Sequence, residues 1–532
     1  MKLKYYSFFL VILLGFSFSN CAKRGRPTGG KKDSIPPLLV HAIPANKSIN
    51  FKAKKIKISF DEYIKLKDVN KQLVISPPLK NAPIITPVGT ASKFISLKIL
   101  DTLKPNTTYT FNFGNSIVDN NEGNKLERFK YVVSTGSYID SLTVSGSVYD
   151  AFNQKTDEDI TVELYEINEA FNDSIIFKQK PTYVTSTIDT TANFEIENIK
   201  AGKYLLVALK QPSKSYIYHP RQDKIGFYKD SITIPTDSSY KISLFKEIPL
   251  FKIIKPKEVT KGHLIFGYEG VPKNLKIELL NSTPDTFRKV TYFEKNKDTL
   301  NYWFSDINVD SLQFKVSNEK YIDTFTVRLR TSKKDTLRIS NITKAILDLR
   351  DTFAIKSNIP IIAIDTSKIK LLSDSLIIKY TPILNKSKTK LYLNFEKKFN
   401  KKYTVNLLPK AIQDVFENTN DTLNYKFSTK NIDSYGNINL TISNVNSPII
   451  IQLLTDKNVL ISTKYISKSG VLNFKLLPPK TYLVRAIFDS NNNGIWDTGN
   501  FLKRKYPEKV QYFDKNLKLR ANWDLNEIFI LK

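Results

Sequence analysis

Hydrophobic and polar residues alternate along most of this chain, in short runs that are rich in Thr, Ile, Val, Tyr and Phe. Residues 56–60, 109–113 and 161–165 are examples, and each run is bounded by Asn, Asp, Gly, Pro or Lys. Because successive side chains of a strand point to opposite faces, this period predicts half-buried antiparallel strands. The sequence contains no long amphipathic helical pattern. The chain is therefore predicted to be all-β and to consist of tandem β-sandwich domains.

Two internal repeats indicate that domains have been duplicated. In the first, residues 109–135 and 403–429 share Tyr-Thr-x-Asn, then Ile-x-Asp, then Ser-Thr. In the second, residues 193–208 and 473–486 share Asn-Phe, then Tyr-Leu and a closing Ala. Repeats of this size indicate two pairs of related domains, with a stretch between the pairs, rather than a short-period solenoid.

The first 21 residues have the layout of a bacterial export signal that ends in a lipoprotein cleavage site. Lys2 and Lys4 precede an apolar run at 5–18, which is too short for a good membrane span. The run ends in Ser-Asn followed by Cys21, the single cysteine of the chain. Its thiol is the group that accepts diacylglycerol, so we predict a lipid anchor at Cys21. The alternative is a plain cleaved signal with a cysteine placed there by chance.

The residues that follow Cys21 indicate where the lipid would hold the protein. Residues 22–32 are basic and rich in Gly and Pro, which is typical of a flexible tether. No Asp follows the cysteine directly, and no acidic run follows it either. We therefore expect an outer-membrane location, lipid-anchored, on the periplasmic side.

Composition and charge narrow the classes of partner and of site. The net charge of +30 suits either an anionic partner or an ordinary lysine-rich surface, and the lysines are spread along the chain rather than clustered. Arginine is scarce and no nucleic-acid-binding motif occurs, so we predict no nucleic-acid partner but leave an anionic glycan open. One cysteine excludes a disulfide framework, and His41, His219 and His263 are too far apart for a histidine metal motif.

Six landmarks occur in order between residues 36 and 136. They are Pro36-Pro37, Ile43-Pro44-Ala45-Asn46, Ile58-Ser59-Phe60-Asp61-Glu62, residues 103–109, Ile117-Val118-Asp119 with Gly123-Asn124, and Ser134-Thr135-Gly136. This series resembles the bacterial Ig-like domain of the S-layer type. The resemblance implies a seven-stranded β-sandwich that serves as a spacer or adhesive module. In the second copy only the latter half is clear, and residues 353–360 are the candidate for its Phe60 strand.

A second type of module is indicated by residues 144–150 and by a Gly-x-Tyr turn at Gly202–Tyr204. These features resemble the carboxypeptidase-regulatory or prealbumin-like sandwich, and the copy near the C-terminus has Pro479 and Lys480 where the turn glycine is expected. The resemblance implies a fold and not a reaction. The predicted organisation is a lipoprotein signal peptide at 1–20, a tether at 21–35, an Ig-like domain at 36–136, a prealbumin-like sandwich at 137–250, an unclassified β module at 251–335, a degenerate Ig-like domain at 336–432 and a second prealbumin-like sandwich at 433–532.

One local motif suggests metal chemistry, the segment 489–497 with the sequence DSNNNGIWD. It fits the first half of a calcium loop, in which oxygens of Asp489, Asn491, Asn493, the Ile495 carbonyl and Asp497 would converge on one ion. The residue at the twelfth position is Asn rather than Glu, so affinity for Ca²⁺ would be weak, on the order of 10⁻⁴ to 10⁻³ M. The alternative is a polar hairpin closing the sandwich. The segment 119–123 is interpreted as a structural turn.

No enzymatic motif is present, and no cofactor is required by any pattern in the sequence. The adjacent Asp61 and Glu62 would point to opposite faces of a strand and could not flank one glycosidic bond. The leading hypothesis is a non-enzymatic outer-membrane lipoprotein that acts as a structural or protein-interaction module, with an envelope protein as its partner. The alternative is a glycan- or peptidoglycan-binding envelope protein, and the third hypothesis is a hydrolase whose site no motif reveals.

Overall fold

The structure, a computed structural model, describes residues 33–187, 192–295, 297–319 and 321–532. The described chain is built almost entirely from β-strands, with one short α-helix, α1 (Val69–Gln72), and 3₁₀ turns at Asp173–Phe177, Thr366–Lys368 and Ile432–Ser434. It forms two compact units, one that ends at Ser141 and also takes Asn198–Lys200, and one comprising Leu142–Glu197 and Ala201–Lys532. The prediction of an all-β fold of tandem sandwiches is confirmed.

The first unit contains module 1, at residues 33–141. Its strands are β1 (Leu39–Ile43), β2 (Lys55–Leu66), β3 (Val74–Ser76), β4 (Ile84–Thr86), β5 (Ser92–Lys98), β6 (Thr108–Asn112), β7 (Ile117–Asp119) and β8 (Lys130–Ser134). One sheet has the order β1-β2-β5-β4 and the other β3-β6-β8, and apolar side chains such as Ile58, Ile95 and Phe111 fill the space between them. The side chains of β2 alternate between buried and exposed, as the period of two predicts.

Module 1 departs from the sequence expectation at two places. The resemblance implied seven strands and eight are present. The register of β2 shifts between Ser59 and Ile64, and its last residues pair with the short strand β7. Residues 33–35, assigned to the tether, are tied to this sandwich, since the Asn124 side chain donates to the carbonyls of Asp33 and Ile35.

Module 2 covers residues 142–250. Its strands are β9 (Leu142–Asp150), β10 (Thr161–Glu166), β11 (Tyr183–Ser186), β12 (Asn193–Ile199), β13 (Gly202–Lys210), β14 (Lys224–Phe227), β15 (Ile232–Ile234) and β16 (Ser239–Leu244). One sheet has the order β11-β10-β13-β14, with β15 also on β13, and the other has the order β12-β9-β16. The first and last strands, β9 and β16, pair in parallel.

Module 3, at 251–335, is also a two-sheet sandwich, although the sequence assigns it to no known type of β module. Its strands are β17 (Lys252–Ile253), β18 (Lys257–Thr260), β19 (His263–Glu269), β20 (Lys276–Leu279), β21 (Lys289–Phe293), β22 (Thr299–Phe304), β23 (Ser311–Asn318) and β24 (Tyr321–Arg328). The sheets run β17-β19-β22-β21, with β18 on β19, and β20-β23-β24. Leu264, Phe266, Tyr302 and Phe314 lie in the core between the sheets.

Module 4, at 336–432, repeats the plan of module 1. Its strands are β25 (Ile339–Asn341), β26 (Ile346–Leu347), β27 (Phe353–Ser357), β28 (Ile361–Ile364), β29 (Ile369–Ser373), β30 (Leu376–Ile377), β31 (Thr381–Leu384), β32 (Lys390–Asn394), β33 (Lys402–Leu407), β34 (Ile412–Asp414) and β35 (Leu423–Thr429). The sheet β25-β27-β32-β31 matches β1-β2-β5-β4, so the segment 353–360 does supply the counterpart of the Phe60 strand.

The repeated Ile-x-Asp turn has the same role in modules 1 and 4. The Asp119 carboxylate accepts the backbone N–H groups of residues 121–124, and the Asp414 carboxylate accepts those of Phe416 and Asn418. Both aspartates are buried. Desolvation acts to raise the pKa of Asp119, but the backbone donors outweigh it and the pKa is lowered. The interpretation of segment 119–123 as a structural turn agrees with this geometry.

Module 5, at 433–532, has the topology of module 2. Its strands are β36 (Gly436–Ser443), β37 (Ile449–Thr455), β38 (Leu460–Ile466), β39 (Gly470–Leu477), β40 (Thr481–Phe488), β41 (Val510–Tyr512), β42 (Leu517–Lys518) and β43 (Asp524–Ile530). The sheets have the orders β39-β36-β43 and β38-β37-β40-β41, and β36 pairs in parallel with β43 as β9 does with β16. The long connection from β40 to β41 carries the calcium-like motif.

Candidate functional site at the joint of modules 2 and 5

The connection after β40 begins with a turn that Asp489 organises. Asp489 is 2% exposed, and its two carboxylate oxygens accept the N–H groups of Asn493 (3.0 Å) and Gly494 (2.8 Å). Asn492 and Gly494 both have positive φ, at 56° and 77°, which is why asparagine and glycine stand at these positions. The half calcium motif therefore folds into a tight polar turn whose first carboxylate caps its own backbone.

Glu508 closes the far end of the same loop, and the sequence did not single it out. One of its carboxylate oxygens accepts the N–H and the hydroxyl of Ser490, at 2.8 and 2.7 Å. The other accepts the N–H of Asp497 at 3.0 Å, while the Trp496 indole donates to the Glu508 carbonyl at 2.9 Å. No local motif links Glu508 to the turn, because the two are joined only through the folded loop.

The predicted calcium ligands lie close together in this turn. The Asp497 carboxylate accepts the side-chain amides of Asn491 and Asn493, and Ile495 is exposed at the tip. Within the described residues, no three His, Cys, Asp or Glu side chains are grouped closely enough to hold a metal ion. The arrangement offers oxygen ligands of the kind that Ca²⁺ takes, but each carboxylate already accepts hydrogen bonds from the loop. Weak calcium binding here stays a prediction.

Beyond the turn, the loop enters the core of module 2. Phe501 is 0% exposed, and its ring lies 5.4 Å from that of Phe227 and 6.4 Å from that of Phe177. Its backbone N–H donates to the buried Glu247 carboxylate, which also accepts the Tyr218 hydroxyl at 2.8 Å. A residue of module 5 thus completes the hydrophobic core of module 2.

Residues on both sides of Phe501 tighten the same contact. Tyr506 stacks on Phe227 with ring centroids 5.2 Å apart, and its hydroxyl accepts the N–H of Lys229 at 2.8 Å. Arg504 forms an ion pair with Asp173 of module 2. A Cβ added at Gly499 would come within 2.6 Å of the Phe245 ring, so only glycine allows this approach.

A second group of contacts holds Phe152 of module 2 against module 5. Trp496 lies 4.6 Å from the Phe152 ring, and the Arg485 guanidinium lies 3.9 Å above it. The Tyr512 hydroxyl donates to the Phe152 carbonyl at 3.1 Å. Arg485 is itself held by Gln452 at 2.7 Å, so this cation–π contact is fixed in place. Modules 2 and 5 are therefore joined by a packed, hydrogen-bonded contact rather than by chain connectivity alone.

The other residues named from the sequence are not brought together by the structure. Cys21 and the signal peptide lie outside the described residues. Asp61 and Glu62 follow each other on β2, and the Asp61 carboxylate accepts the N–H of Leu38. No helix in the described part of the chain is long and apolar enough to cross a membrane.

The first module is similar to a known family of protein domains. Residues 33–135 match a family model, the bacterial Ig-like domain. The match begins three residues before the predicted domain and includes the residues that Asn124 ties to the sandwich. The Ig-like character predicted for this part of the chain is confirmed. No curated protein matches the chain.

Several solved structures match the chain at low identity and low TM-score. The S-layer protein rSbsC is 12% identical over 92% of this chain and 68% of that one, with a TM-score of 0.14. The major pilin subunit of Bacillus cereus, BcpA, is 9% identical over 73% and 99%, also at 0.14. The Bacillus anthracis TIE protein is 10% identical over 95% and 76%, again at 0.14. Scores this low say nothing about function.

Proposed function

We propose that this protein is a non-enzymatic scaffold of the bacterial cell envelope, anchored in the outer membrane through a lipid on Cys21. Its β-sandwich modules would present strand edges and loops to an envelope protein partner on the periplasmic side. The proposal combines the export and lipidation pattern of the first 21 residues with the architecture of the described chain.

The observation that carries the scaffold role is the joint between modules 2 and 5. The one segment whose sequence suggested chemistry, the loop 489–508, uses its buried acidic side chains to hold its own backbone. The remainder of the loop fills the core of another module with Phe501. A loop committed to joining two modules makes a mechanical part, because its buried carboxylates already accept hydrogen bonds from the loop and the Phe501 ring is already packed in a core. The match of residues 33–135 to the bacterial Ig-like domain also supports the role of a structural or interaction module.

The anchor is tested by metabolic labelling with palmitate in a bacterial host that lipidates exported proteins. The full chain should take up label and fractionate with the outer membrane, whereas Cys21→Ala should do neither. A wild-type chain that takes up no label would contradict the anchor.

The partner is tested by purification from detergent-solubilised membranes of the native host. A membrane protein recovered in constant ratio with this chain supports the scaffold role. Retention on cell-wall material without such a protein would instead favour the glycan-binding alternative.

A further inference from the structure

A large cleft lies between modules 3 and 4. In module 3 it lies against the face of the sheet β17-β19-β22-β21 that points away from the core of that module. Its volume is about 1030 Å³, and its walls come from the β21–β22 region and from the sheet β25-β27-β32 with the turn 385–389. The two modules are held together beside it by a cluster of buried residues, Val290 and Trp303 from module 3 with Ile359 and Val415 from module 4. The cleft is therefore formed in advance by packed domains, which lowers the cost of binding a ligand.

The lining of the cleft is strongly basic. Five basic side chains border it, those of Lys295, Arg338, Lys356, Lys386 and Lys390. The single acid among the lining residues, Glu294, is already paired with Lys297 at 2.6 Å. Within the described chain, none of the five forms an ion pair. The positive charge of this cleft is thus available to a ligand.

Two of these lysines are placed where they repel each other. Ser340, Lys356 and Lys390 stand side by side across β25, β27 and β32, and Lys356 is directly opposite Lys390 in the antiparallel ladder. Like charges directly opposite each other destabilise a sheet. An anion bound over this row would remove the repulsion, so the arrangement favours a ligand that carries negative charge.

Asn301 supplies a second, independent indication of a ligand. It borders the cleft, is 6% exposed, and its side-chain oxygen lies 2.8 Å from His263 Nε2. Its Nδ2 has no hydrogen-bond partner among the described residues. Burial lowers the pKa of His263, and its Nε2–H donates to the Asn301 oxygen, which can only accept. The buried Nδ2 is therefore an unused donor in a residue that lines the cleft, and an accepting oxygen would satisfy it.

The His263 ring is itself held in one orientation. It stacks on Trp303 with centroids 3.8 Å apart and an interplanar angle of 7°. The hydrogen bond to Asn301 therefore fixes the direction in which the asparagine amide points. The donor is positioned before any ligand arrives.

The rest of the wall fits a sugar better than a compact ion. Tyr292 and Tyr392 border the cleft from its two walls, and aromatic rings pack well against the apolar face of a pyranose. Asn385 orders the opposite wall, because its Oδ1 accepts the N–H groups of Thr389 and Lys390 at 3.0 and 2.9 Å. Hydroxyl and amide groups on a rigid wall, combined with aromatic faces, are the groups that recognise a polyhydroxylated ring.

We propose that this cleft binds an anionic oligosaccharide, with carboxylate or phosphate groups over the Lys356–Lys390 row and a sugar oxygen on Asn301 Nδ2. The site goes beyond the scaffold function and does not depend on the lipid anchor. Envelope glycans that carry uronic acids and those that carry phosphate share this chemistry. Binding would attach the scaffold to such a polymer as well as to the membrane.

The test is isothermal titration of the full chain, purified in detergent, with defined oligosaccharides. Tetragalacturonate represents a carboxylated ligand, a phosphorylated mannose oligosaccharide a phosphorylated one, and chitotetraose a neutral one. At least one anionic probe should bind in a saturable way, whereas chitotetraose should not bind. Comparison of the two anionic probes shows whether the cleft prefers carboxylate or phosphate groups. Cys21→Ala should bind equally well, so failure of the anchor would not affect the result.

Variants separate the cleft from the general basic charge of the chain. Lys356→Ala should weaken binding by roughly tenfold, as expected for loss of a charged contact, and should raise the melting temperature of the free protein by relieving the repulsion. Asn301→Ala should also weaken binding. Lys370→Ala removes an exposed lysine from the other sheet of module 4 and should bind as the wild type does.

Three outcomes would overturn the proposal. The first is that neither anionic probe binds. The second is that Lys370→Ala loses as much affinity as Lys356→Ala, which would show that net charge alone attracts the ligand. The third is that a single-stranded oligonucleotide binds more tightly than both sugars and loses affinity in Lys356→Ala, which would assign the cleft to nucleic acid.

Discussion

Replacing Phe501 with alanine is expected to separate modules 2 and 5. The Phe501 ring is fully buried among aromatic side chains of module 2, and a buried Phe→Ala change costs about 3–5 kcal/mol. The two modules together are about 200 residues long, for which each kcal/mol shifts the melting temperature by roughly 2–4 °C. Phe501→Ala should therefore lower the transition of these modules by roughly 6–20 °C in scanning calorimetry.

Leu502→Ala is the matched control, because this neighbouring side chain is 57% exposed. Its melting temperature should stay within about 2 °C of the wild type, as surface substitutions usually change stability by less than about 0.5 kcal/mol. The loop also carries Lys503, Arg504 and Lys505, so trypsin should cut it in Phe501→Ala and spare it in the wild type. If Phe501→Ala melts with the wild type and resists trypsin equally, the joint between modules 2 and 5 does not hold.

Three further predictions concern single carboxylates. Burial raises the pKa of Glu163 to about 8, so the folded chain keeps a proton that the unfolded chain loses near the ordinary value of 4.5. The free energy of unfolding should therefore fall by up to about 5 kcal/mol as the pH rises from about 4.5 to about 8. In Glu163→Gln, urea unfolding across the same pH range should show no such fall. Asp119→Ala should destabilise module 1 by about 2–3 kcal/mol in urea unfolding, because four backbone N–H groups lose a charged acceptor; an unchanged midpoint would contradict this. If the turn 489–497 binds Ca²⁺ at the weak affinity expected, 5 mM CaCl₂ should stabilise the protein by about 1–2 kcal/mol, and Asp497→Asn should abolish the shift; a wild type that does not respond to Ca²⁺ would refute calcium binding.

The sequence predicts the strands and the duplications because both depend on local pattern. Alternation along β2 places Ile56, Ile58 and Phe60 inside, and the shared Ile-x-Asp turn identifies modules 1 and 4 as copies. Register and strand count are harder, since the shift in β2 that brings β7 alongside has no local signal.

The candidate sites could be predicted only in part, because each is made by residues from different modules. The motif at 489–497 is visible in the sequence, but the role of Glu508 depends on how the loop folds back. Phe501 and the exposed Leu502 stand side by side in a polar and basic stretch, so the burial of Phe501 depends on a surface of module 2 that no local pattern reveals. Asn301 looks like any polar residue of a strand, because no local pattern shows that His263 holds it or that module 4 supplies the other wall of the cleft.

The most direct test of the central claim is hydrogen exchange at the amide of Phe501. That N–H donates to the buried Glu247 carboxylate, so it can exchange only when the joint opens. We predict that it exchanges as slowly as the core amides of β13 in module 2. Exchange at the rate of an exposed loop would show that the loop of module 5 is not part of the core of module 2, and would contradict the rigid scaffold.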